Sequence, residues 1–328
     1  MTKHFLKIAI GLVFSVFFLV LALRGVKFTL FLESLHQVRW QTLWPLPFIF
    51  LADISLRSWR WAYLLRPLSP VSTKKVFPYM IMGLALNNIL PLRLGEVSRA
   101  YLLGKNIGQS KIACLSTVFL ERLIDLWILA FIFITFVPYQ GSPWLSMLRI
   151  YARNVLLVAI FLTLFLHPIL SRLQRQGNVL SFLQARPKLL SYWTNLLIGL
   201  SSFRSIPVAF TILTISAILW LNAAFYFLVV SWAIPEMSGW NLVNSLFTLG
   251  LAAFFVAIPS APGYVGTYEF ALMEAAKFNR IPPHAGLTYA VLVHGFNYLA
   301  FTSLGVYYLV RHLGLKGIRQ AAHEAEKS

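Results

Sequence analysis

Runs of about 20 apolar residues decide what this chain can fold into, because a helix of that length crosses a lipid bilayer. The 328-residue sequence contains six such runs. They lie at about residues 5–24, 45–65, 112–137, 150–170, 206–233 and 285–311. Hydrophobic residues make up 59% of the chain and charged residues only 12%, about half the charged fraction of a soluble domain. The sequence therefore predicts an all-α integral membrane protein with about six full transmembrane helices.

Two further apolar stretches are interrupted near their middle. Residues 77–104 are broken at Pro91 and Gly95, and residues 240–278 are broken within the sequence IPSAPGYVG. Each stretch is too long for one crossing, and irregular backbone at membrane depth is tolerated only where protein or a wet cavity surrounds it. We therefore predict two re-entrant broken-helix hairpins, in each of which two half-helices enter and leave on the same side.

The order of these segments repeats along the chain. Helix, helix, hairpin and helix occur within about residues 1–137 and again within about 150–311. Three crossings separate the two copies, so we expect the second copy to be upside down relative to the first. An inverted repeat with broken helices is typical of transporters, whose substrate site lies between the repeats. We interpret residues 1–328 as a single polytopic membrane domain.

The basic residues predict the orientation and explain the net charge of +18. The segment of about 171–205 contains five basic residues and no acidic one, which predicts a basic cytoplasmic linker. Lys3 and Lys7 place the N-terminus in the cytoplasm, and Arg311 and Lys316 do the same for the C-terminus. The expected location is the plasma (inner) membrane. Because the charges lie between spans, nucleic acid is not an expected partner.

The first hairpin contains the sequence NNILPLRLGEVSRAYLL at residues 87–103. Arg93, Glu96 and Arg99 follow at intervals of three, so on one helix they share a face. Each charge in hydrocarbon costs at least about 2.5–3.5 kcal/mol, which favours a functional role. Arg93 beside a helix start is a candidate phosphate site, and we expect Glu96 to balance Arg93 or Arg99 when no substrate is bound. The alternative is a surface amphipathic helix with a solvated charged face.

The sequence ERLID places Glu121, Arg122 and Asp125 in the first half of the third span. Glu121 and Asp125 are four residues apart and share a helix face. Two carboxylates at that depth repel each other unless a cation or a proton compensates them. Arg93, Arg99 and Arg122 are the candidate cations. Both a substrate role and a structural ion-pair network stay open at this point.

In the second hairpin, the sequence PSAPGYVGTYE places Glu269 about one turn into the returning half-helix. Its glycines and prolines permit an unwound segment that lines a cavity. We expect Glu274 to pair with Lys277 near the outer surface. We expect His294 to be a packing residue, since no second histidine lies at metal-ligand spacing. The possible secondary site residues are polar side chains in or beside predicted spans: Asn87, Asn88, Asn222, Glu274, His294 and Asn297.

The sequence RSWRWAYLLR at residues 57–66 alternates arginine with tryptophan, which is typical of an interfacial anchor. We expect Asp53, one turn earlier, to pair with Arg57. The single cysteine, Cys114, excludes a disulfide framework and a thiolate metal site. The sequence contains no nucleotide-binding loop, nucleophile elbow or zinc motif, so we expect no cofactor, no metal and no ATP-driven pump in this chain.

The three sequences NNILPLRLGEVSRAYLL, ERLID and PSAPGYVGTYE, in this order and spacing, resemble the lysylphosphatidylglycerol synthetase transmembrane-domain family. The resemblance extends over about residues 87–308. Full-length members of that family join a membrane region, regarded as a lipid flippase, to a soluble domain that transfers an amino acid from tRNA to phosphatidylglycerol. We expect no such domain after the last span, so the resemblance implies only the flippase-like part. The residues on the family's motif positions are Arg93, Glu96, Arg99, Glu121, Arg122, Asp125 and Glu269.

These observations support a lipid translocator that moves a polar phospholipid or polyprenyl-linked lipid between leaflets through a charged cavity between the hairpins. The expected partner is a membrane lipid with a phosphate-containing head group. Two alternatives stay open. One is a membrane-embedded transferase that uses a carboxylate as its base on a lipid-linked substrate. The other is a non-catalytic partner of a lipid-modifying enzyme, whose charges only hold helices together.

Overall fold

The computed structural model describes residues 2–90, 93–136, 143–201, 206–258 and 260–325. These residues form helices joined by short connections, with no strand among them. The helices are α1 Thr2–Leu23, α2 Phe28–His36, α3 Leu46–Leu64, α4 Thr73–Ile89, α5 Leu94–Ile107, α6 Lys111–Phe136, α7 Pro143–Arg175, α8 Gly177–Gln184, α9 Pro187–Leu200, α10 Ile206–Trp232, α11 Leu242–Val256, α12 Thr267–Phe278 and α13 Pro283–Ala325. The predicted all-α class is confirmed.

The six predicted spans lie on α1, α3, α6, α7, α10 and α13. Among the described residues, three helical segments are long and apolar enough to cross a membrane on their own: 146–175, 206–232 and 283–312. Helix α1 forms a bent pair with α2, at an angle of 80°. Helices α3 and α6 each carry three charged side chains near their middle. Ion pairs inside the protein compensate these charges. The number of crossings and the inverted relation of the two halves stay predictions.

Both interrupted stretches form antiparallel helical pairs. In the first pair, α4 and α5 approach so closely that a Cβ added to Gly95 would lie 2.0 Å from the carbonyl oxygen of Gly83. In the second pair, the rings of Phe247 on α11 and Phe278 on α12 are 5.2 Å apart. The helix–break–helix pattern is therefore confirmed for both stretches. Two of the predicted break residues lie outside the described part of the chain: Pro91 and Pro259.

Local sequence explains where the half-helices begin. At the start of α4, the side chain of Ser72 accepts a hydrogen bond from the backbone N–H of Lys75. At the start of α11, Asn241 accepts from the N–H of Asn244, and Asn244 returns the same interaction. These bonds satisfy N–H groups that a helix start leaves free. Gly266 precedes α12 with φ 92°, a backbone conformation that favours glycine.

The predicted basic linker of residues 171–205 contains two helices, α8 and α9. Helix α9 packs against α6, because Gly199 lets the two backbones approach. A Cβ at Gly199 would lie 2.6 Å from the carbonyl oxygen of Ala113. Most of this segment is therefore helical rather than an extended loop. Arg204 lies outside the described residues.

The hydrophobic core has two parts, with a cavity between them. One part is centred on α3, α4, α5 and α6 and contains the buried side chains of Trp61 and Met80. The other is centred on α10, α11, α12 and α13 and contains Phe227 and Tyr289. Helix α13 also packs along α4. The two hairpins contact each other beside their breaks, because Arg93 before α5 donates a hydrogen bond to the carbonyl oxygen of Val256 at the end of α11.

Candidate functional site

A cavity of about 480 Å³ lies between the two hairpins. Its apolar lining includes Leu84, Leu126, Leu129 and Phe301. A smaller cavity of about 210 Å³ adjoins it and reaches Asn222 on α10. The polar and aromatic lining of the larger cavity consists of Arg57, Asn87, Asn88, Arg93, Glu96, Arg99, Arg122, Asp125, Trp220, Tyr264, Tyr268, His294, Asn297 and Tyr298.

A network of buried ion pairs lies against one side of the cavity. Arg60 of α3 is 2.6 Å from a carboxylate oxygen of Asp125 and 3.1 Å from one of Glu121, both on α6. Arg99 of α5 is 3.1 Å from Glu121, and Arg122 is 3.1 Å from Asp125 and also contacts Glu121. Arg60 and Glu121 are completely buried. The prediction that arginines compensate the two carboxylates of α6 is confirmed for Arg99 and Arg122.

Arg60 is a residue of the ion-pair network that the sequence interpretation missed. The interfacial-anchor interpretation of residues 57–66 is wrong for Arg60, whose side chain is completely buried. It is also wrong for Arg57, which is largely buried and pairs with Asp53 at 2.7 Å, the partner predicted for it. A signal was present, because Asp53, Arg57 and Arg60 are spaced by four and three and so share a helix face. Arg66 alone is exposed, at the end of the helix.

Glu96 completes the network. Its carboxylate lies 3.5 Å from Arg122, a partner that was not predicted for it, and the charge of Glu96 also acts on Arg99. With Glu96 included, three guanidinium groups face three carboxylates. Glu96 and Arg99 both point toward α6, whereas Arg93 lies before the start of α5 with φ 54°. Arg93 therefore does not share their helix face, because the helix begins one residue later than the spacing argument requires.

Arg93 differs from the other arginines of the cavity. Its guanidinium donates a hydrogen bond to the carbonyl oxygen of Val256 at 2.9 Å, at the end of α11. It also lies over the ring of Tyr264, 5.5 Å from the ring centroid. Among the described residues it forms no ion pair with a carboxylate. The cavity therefore contains a half-buried cation whose charge is not neutralised by a neighbouring acid.

Glu269 and His294 form a second polar centre. One carboxylate oxygen of Glu269 lies 2.5 Å from the Nδ1 atom of His294 on α13. The other accepts a hydrogen bond of 2.6 Å from the N–H of Gly266 at the start of α12. The expectation that His294 is only a packing residue is wrong, because a carboxylate 25 residues earlier in the chain binds it. His294 lines the cavity, while Glu269 lies directly behind it.

The secondary candidates have different environments. Asn88 donates to the hydroxyl of Thr302 on α13 at 3.0 Å, and Asn222 donates to a carbonyl oxygen of α3. The buried Oδ1 atom of Asn87 has no hydrogen-bond partner among the described residues, and the Asn87 side chain lies at the cavity wall. Asn297 lines the cavity. Glu274 lies outside it and pairs with Lys277 at 3.3 Å, as predicted.

The arrangement suits an anionic, hydrogen-bonding ligand. A guanidinium group matches phosphate oxygens through two parallel hydrogen bonds. Asn87 and Asn297 at the cavity wall carry amide groups of the kind that hydrogen-bond a hydroxyl or ammonium group. No group of three or more metal-binding side chains occurs in the described ranges. The cavity therefore offers a positive site beside a neutral ion-pair network, with apolar walls around both.

Comparison with known proteins places this chain among membrane proteins. A UPF0104 membrane protein of Methanothermobacter thermautotrophicus is 33% identical over 130 residues, which is 37% of this chain and 37% of that protein. A second UPF0104 membrane protein, from Methanocaldococcus jannaschii, is 26% identical over 251 residues, which is 70% of this chain and 96% of that protein. No solved structure matches the chain. The family described as the lysylphosphatidylglycerol synthase TM region matches residues 8–305, and the chain belongs to that family.

Proposed function

We propose that this protein translocates a lipid with a phosphate-containing head group between the two leaflets of the membrane. The observation that carries the proposal is Arg93, a cation without an acidic partner among the described residues, in a cavity between two broken hairpins. Membership of a membrane-protein family supports the location of this cavity within a membrane protein. The proposed location is the plasma membrane, with both termini in the cytoplasm, as the basic segments predict.

In this proposal the head group enters the cavity and the acyl chains stay in the surrounding lipid. The phosphate binds the Arg93 guanidinium. Arg93 then gives up its hydrogen bond to the carbonyl oxygen of Val256 and forms stronger charge-assisted hydrogen bonds to the phosphate. The three-to-three ion-pair network beside it is neutral, so it holds the cavity open without competing for the phosphate. The ring of Tyr264 holds the guanidinium in place by a cation–π contact.

Net charge on the lipid provides a driving force whenever no compensating ion crosses with the lipid. Moving one elementary charge through the membrane potential changes its free energy by about 2.3 kcal/mol per 100 mV. That energy corresponds to roughly a fiftyfold bias between leaflets, since 1.4 kcal/mol is a factor of ten. Translocation of an anionic lipid therefore needs no nucleotide.

The test uses purified protein in liposomes. Head-group-labelled phosphatidylglycerol, phosphatidylethanolamine and a polyprenyl phosphate are followed by quenching of the outer leaflet. We expect Arg93→Gln to slow exchange of the transported lipid about 10- to 100-fold, because a hydrogen bond to a charged group contributes about 1.5–3 kcal/mol. Arg66→Gln is the matched control, since Arg66 also stacks on a tyrosine but lies outside the cavity.

Three results contradict the proposal in different ways. If Arg93→Gln exchanges lipid at the normal rate, the phosphate site is wrong. If folded wild-type protein moves none of the lipids, translocation is wrong. If mass spectrometry of the same vesicles shows a new lipid product, the membrane-embedded transferase becomes the better interpretation.

A further inference from the structure

We propose that Glu269 and His294 form a proton-binding site that couples lipid movement to the movement of one proton in the same direction. This inference rests on the proposed function, because it assigns the ion that accompanies the lipid. A lipid with one negative charge and one proton then cross together without net charge. No covalent bond changes: the proton binds on the more acidic side and leaves on the more alkaline side.

The contact between the two side chains carries the proposal. Glu269 and His294 lie 2.5 Å apart, and each side chain is 13% exposed. The cavity that His294 lines gives protons a route to the pair. The surrounding protein covers most of the surface of both side chains. Histidine is the side chain that ordinarily exchanges a proton between pH 5 and 8. The proton binds the His294 ring, and the Glu269 carboxylate in contact with it balances the positive charge.

The ion-pair network on the opposite side of the cavity cannot take this role. Its cations are arginines, which do not lose their proton in proteins. Each of its carboxylates forms an ion pair with at least one guanidinium group, so a proton would have to displace an existing ion pair there. Among the charged groups that line the cavity or lie directly behind it, the Glu269–His294 pair is the one that contains a histidine.

The surroundings of the pair contain few other groups that could exchange a proton. The ring of Tyr268 on α12 lies 5.0 Å from the His294 ring, and that of Tyr298 on α13 lies 6.1 Å away. Tyr264, in the turn before α12, faces Arg93 instead. Two further elements pack against α12, namely α11 and residues 11–23 of α1, and neither contains an ionisable side chain. Three others pack against α13, namely α4, α2 and α10, and their ionisable side chains are Lys74, Lys75, Tyr79, Glu33, His36 and Tyr226. None of these charged side chains forms an ion pair with Glu269 or His294 in the described part of the chain.

Glu269 also links the proton-binding site to the backbone of the second hairpin, because it contacts both His294 and the start of α12. Its second oxygen accepts the Gly266 N–H at 2.6 Å, which fixes the start of α12. Gly266 lies directly against α1, where an added Cβ would be 2.1 Å from the carbonyl oxygen of Ser15. A proton on His294 draws the Glu269 carboxylate into an ion pair, which competes with its charge-assisted bond to the Gly266 N–H. Proton binding thus loosens the point where α1 meets the second hairpin.

The test applies a pH gradient of one unit to the same liposomes, with potassium and valinomycin holding the membrane potential at zero. Labelled phosphatidylglycerol, which carries one negative charge, is the probe, and protein-free liposomes give the background. We expect the wild type to enrich the probe up to about tenfold in the leaflet that faces the alkaline side, because one proton accompanies each lipid. His294→Gln and Glu269→Gln are expected to abolish this enrichment while slow exchange continues.

His284→Gln is the matched control. His284 also lies near a glutamate, with its Nε2 atom 3.6 Å from Glu236, but outside the cavity. We expect this variant to keep the full enrichment. Exchange without enrichment in the wild type, enrichment on the acidic side, or full enrichment in His294→Gln would each overturn proton coupling and leave the proposed function standing. Failure of the wild type to exchange any lipid would overturn both.

Discussion

Arg60 allows the most direct test of the buried ion-pair network. Its guanidinium contacts Asp125 at 2.6 Å, Glu121 at 3.1 Å and the hydroxyl of Ser216 at 3.0 Å. The substitution Arg60→Leu keeps a side chain that fills part of the same space but removes the charge. Two guanidinium groups are then left to neutralise three carboxylates, and the remaining negative charge is buried.

The expected cost is about 3–5 kcal/mol of the free energy of unfolding, because removing one partner of a buried ion pair leaves an uncompensated charge. Water cannot relieve that charge easily, since Glu121 is completely buried. The double variant Arg60→Leu with Asp125→Leu removes one charge of each sign. We expect its loss in the free energy of unfolding to be smaller than the sum of the losses of the two single variants. The difference should be about 0.5–3 kcal/mol, the usual size of coupling between contacting residues.

Unfolding of the purified protein in mixed micelles, followed by tryptophan fluorescence, measures these differences. Arg66→Gln serves as the control, because Arg66 is exposed at the end of the same helix and its loss should change the free energy of unfolding by no more than about 0.5 kcal/mol. If Arg60→Leu unfolds within about 1 kcal/mol of the wild type, the network does not stabilise the fold, and the burial argument is wrong.

Two further substitutions test the packing around the cavity. Gly95→Ala should lower the free energy of unfolding by about 1–3 kcal/mol or more, because the new Cβ would lie 2.0 Å from a backbone oxygen of α4; Gly239→Ala, with nothing within 4 Å, is the control in the same unfolding assay. Trp220→Phe removes the indole N–H that donates to Asp125 at 3.1 Å, and we expect a loss of about 1.5–3 kcal/mol. A loss below about 0.5 kcal/mol would show that this bond does not anchor Asp125.

The secondary structure could be predicted well because its signals are local. The length of an apolar run predicts the length of a helix directly. The prolines and glycines of the two hairpins predict helix breaks without any knowledge of how the helices pack. Helices α8 and α9 were missed because the segment around them was interpreted from its basic residues alone. Its apolar residues, such as Leu197 and Leu200, are buried where α9 packs on α6.

The partners of the charged residues could not be predicted in the same way. Arg60 and Glu121 are 61 residues apart, and no spacing rule connects residues on different helices. The composition showed that charges at membrane depth need partners, which the structure confirms for Glu121 and Asp125. Which guanidinium meets which carboxylate depends on how α3, α5 and α6 pack, and that follows from the whole fold.

The pairing of α3 with α6 also has a consequence for biosynthesis. Arg60 emerges from the ribosome 61 residues before its partner Glu121, which is about 3–12 s at 5–20 residues per second. During that interval α3 carries ionised side chains that lipid alone does not accommodate. We therefore expect the helix to wait beside the insertion machinery, or at the membrane surface, until α6 arrives. We predict that membrane insertion of this protein is a cooperative step in which α3 and α6 enter the bilayer together.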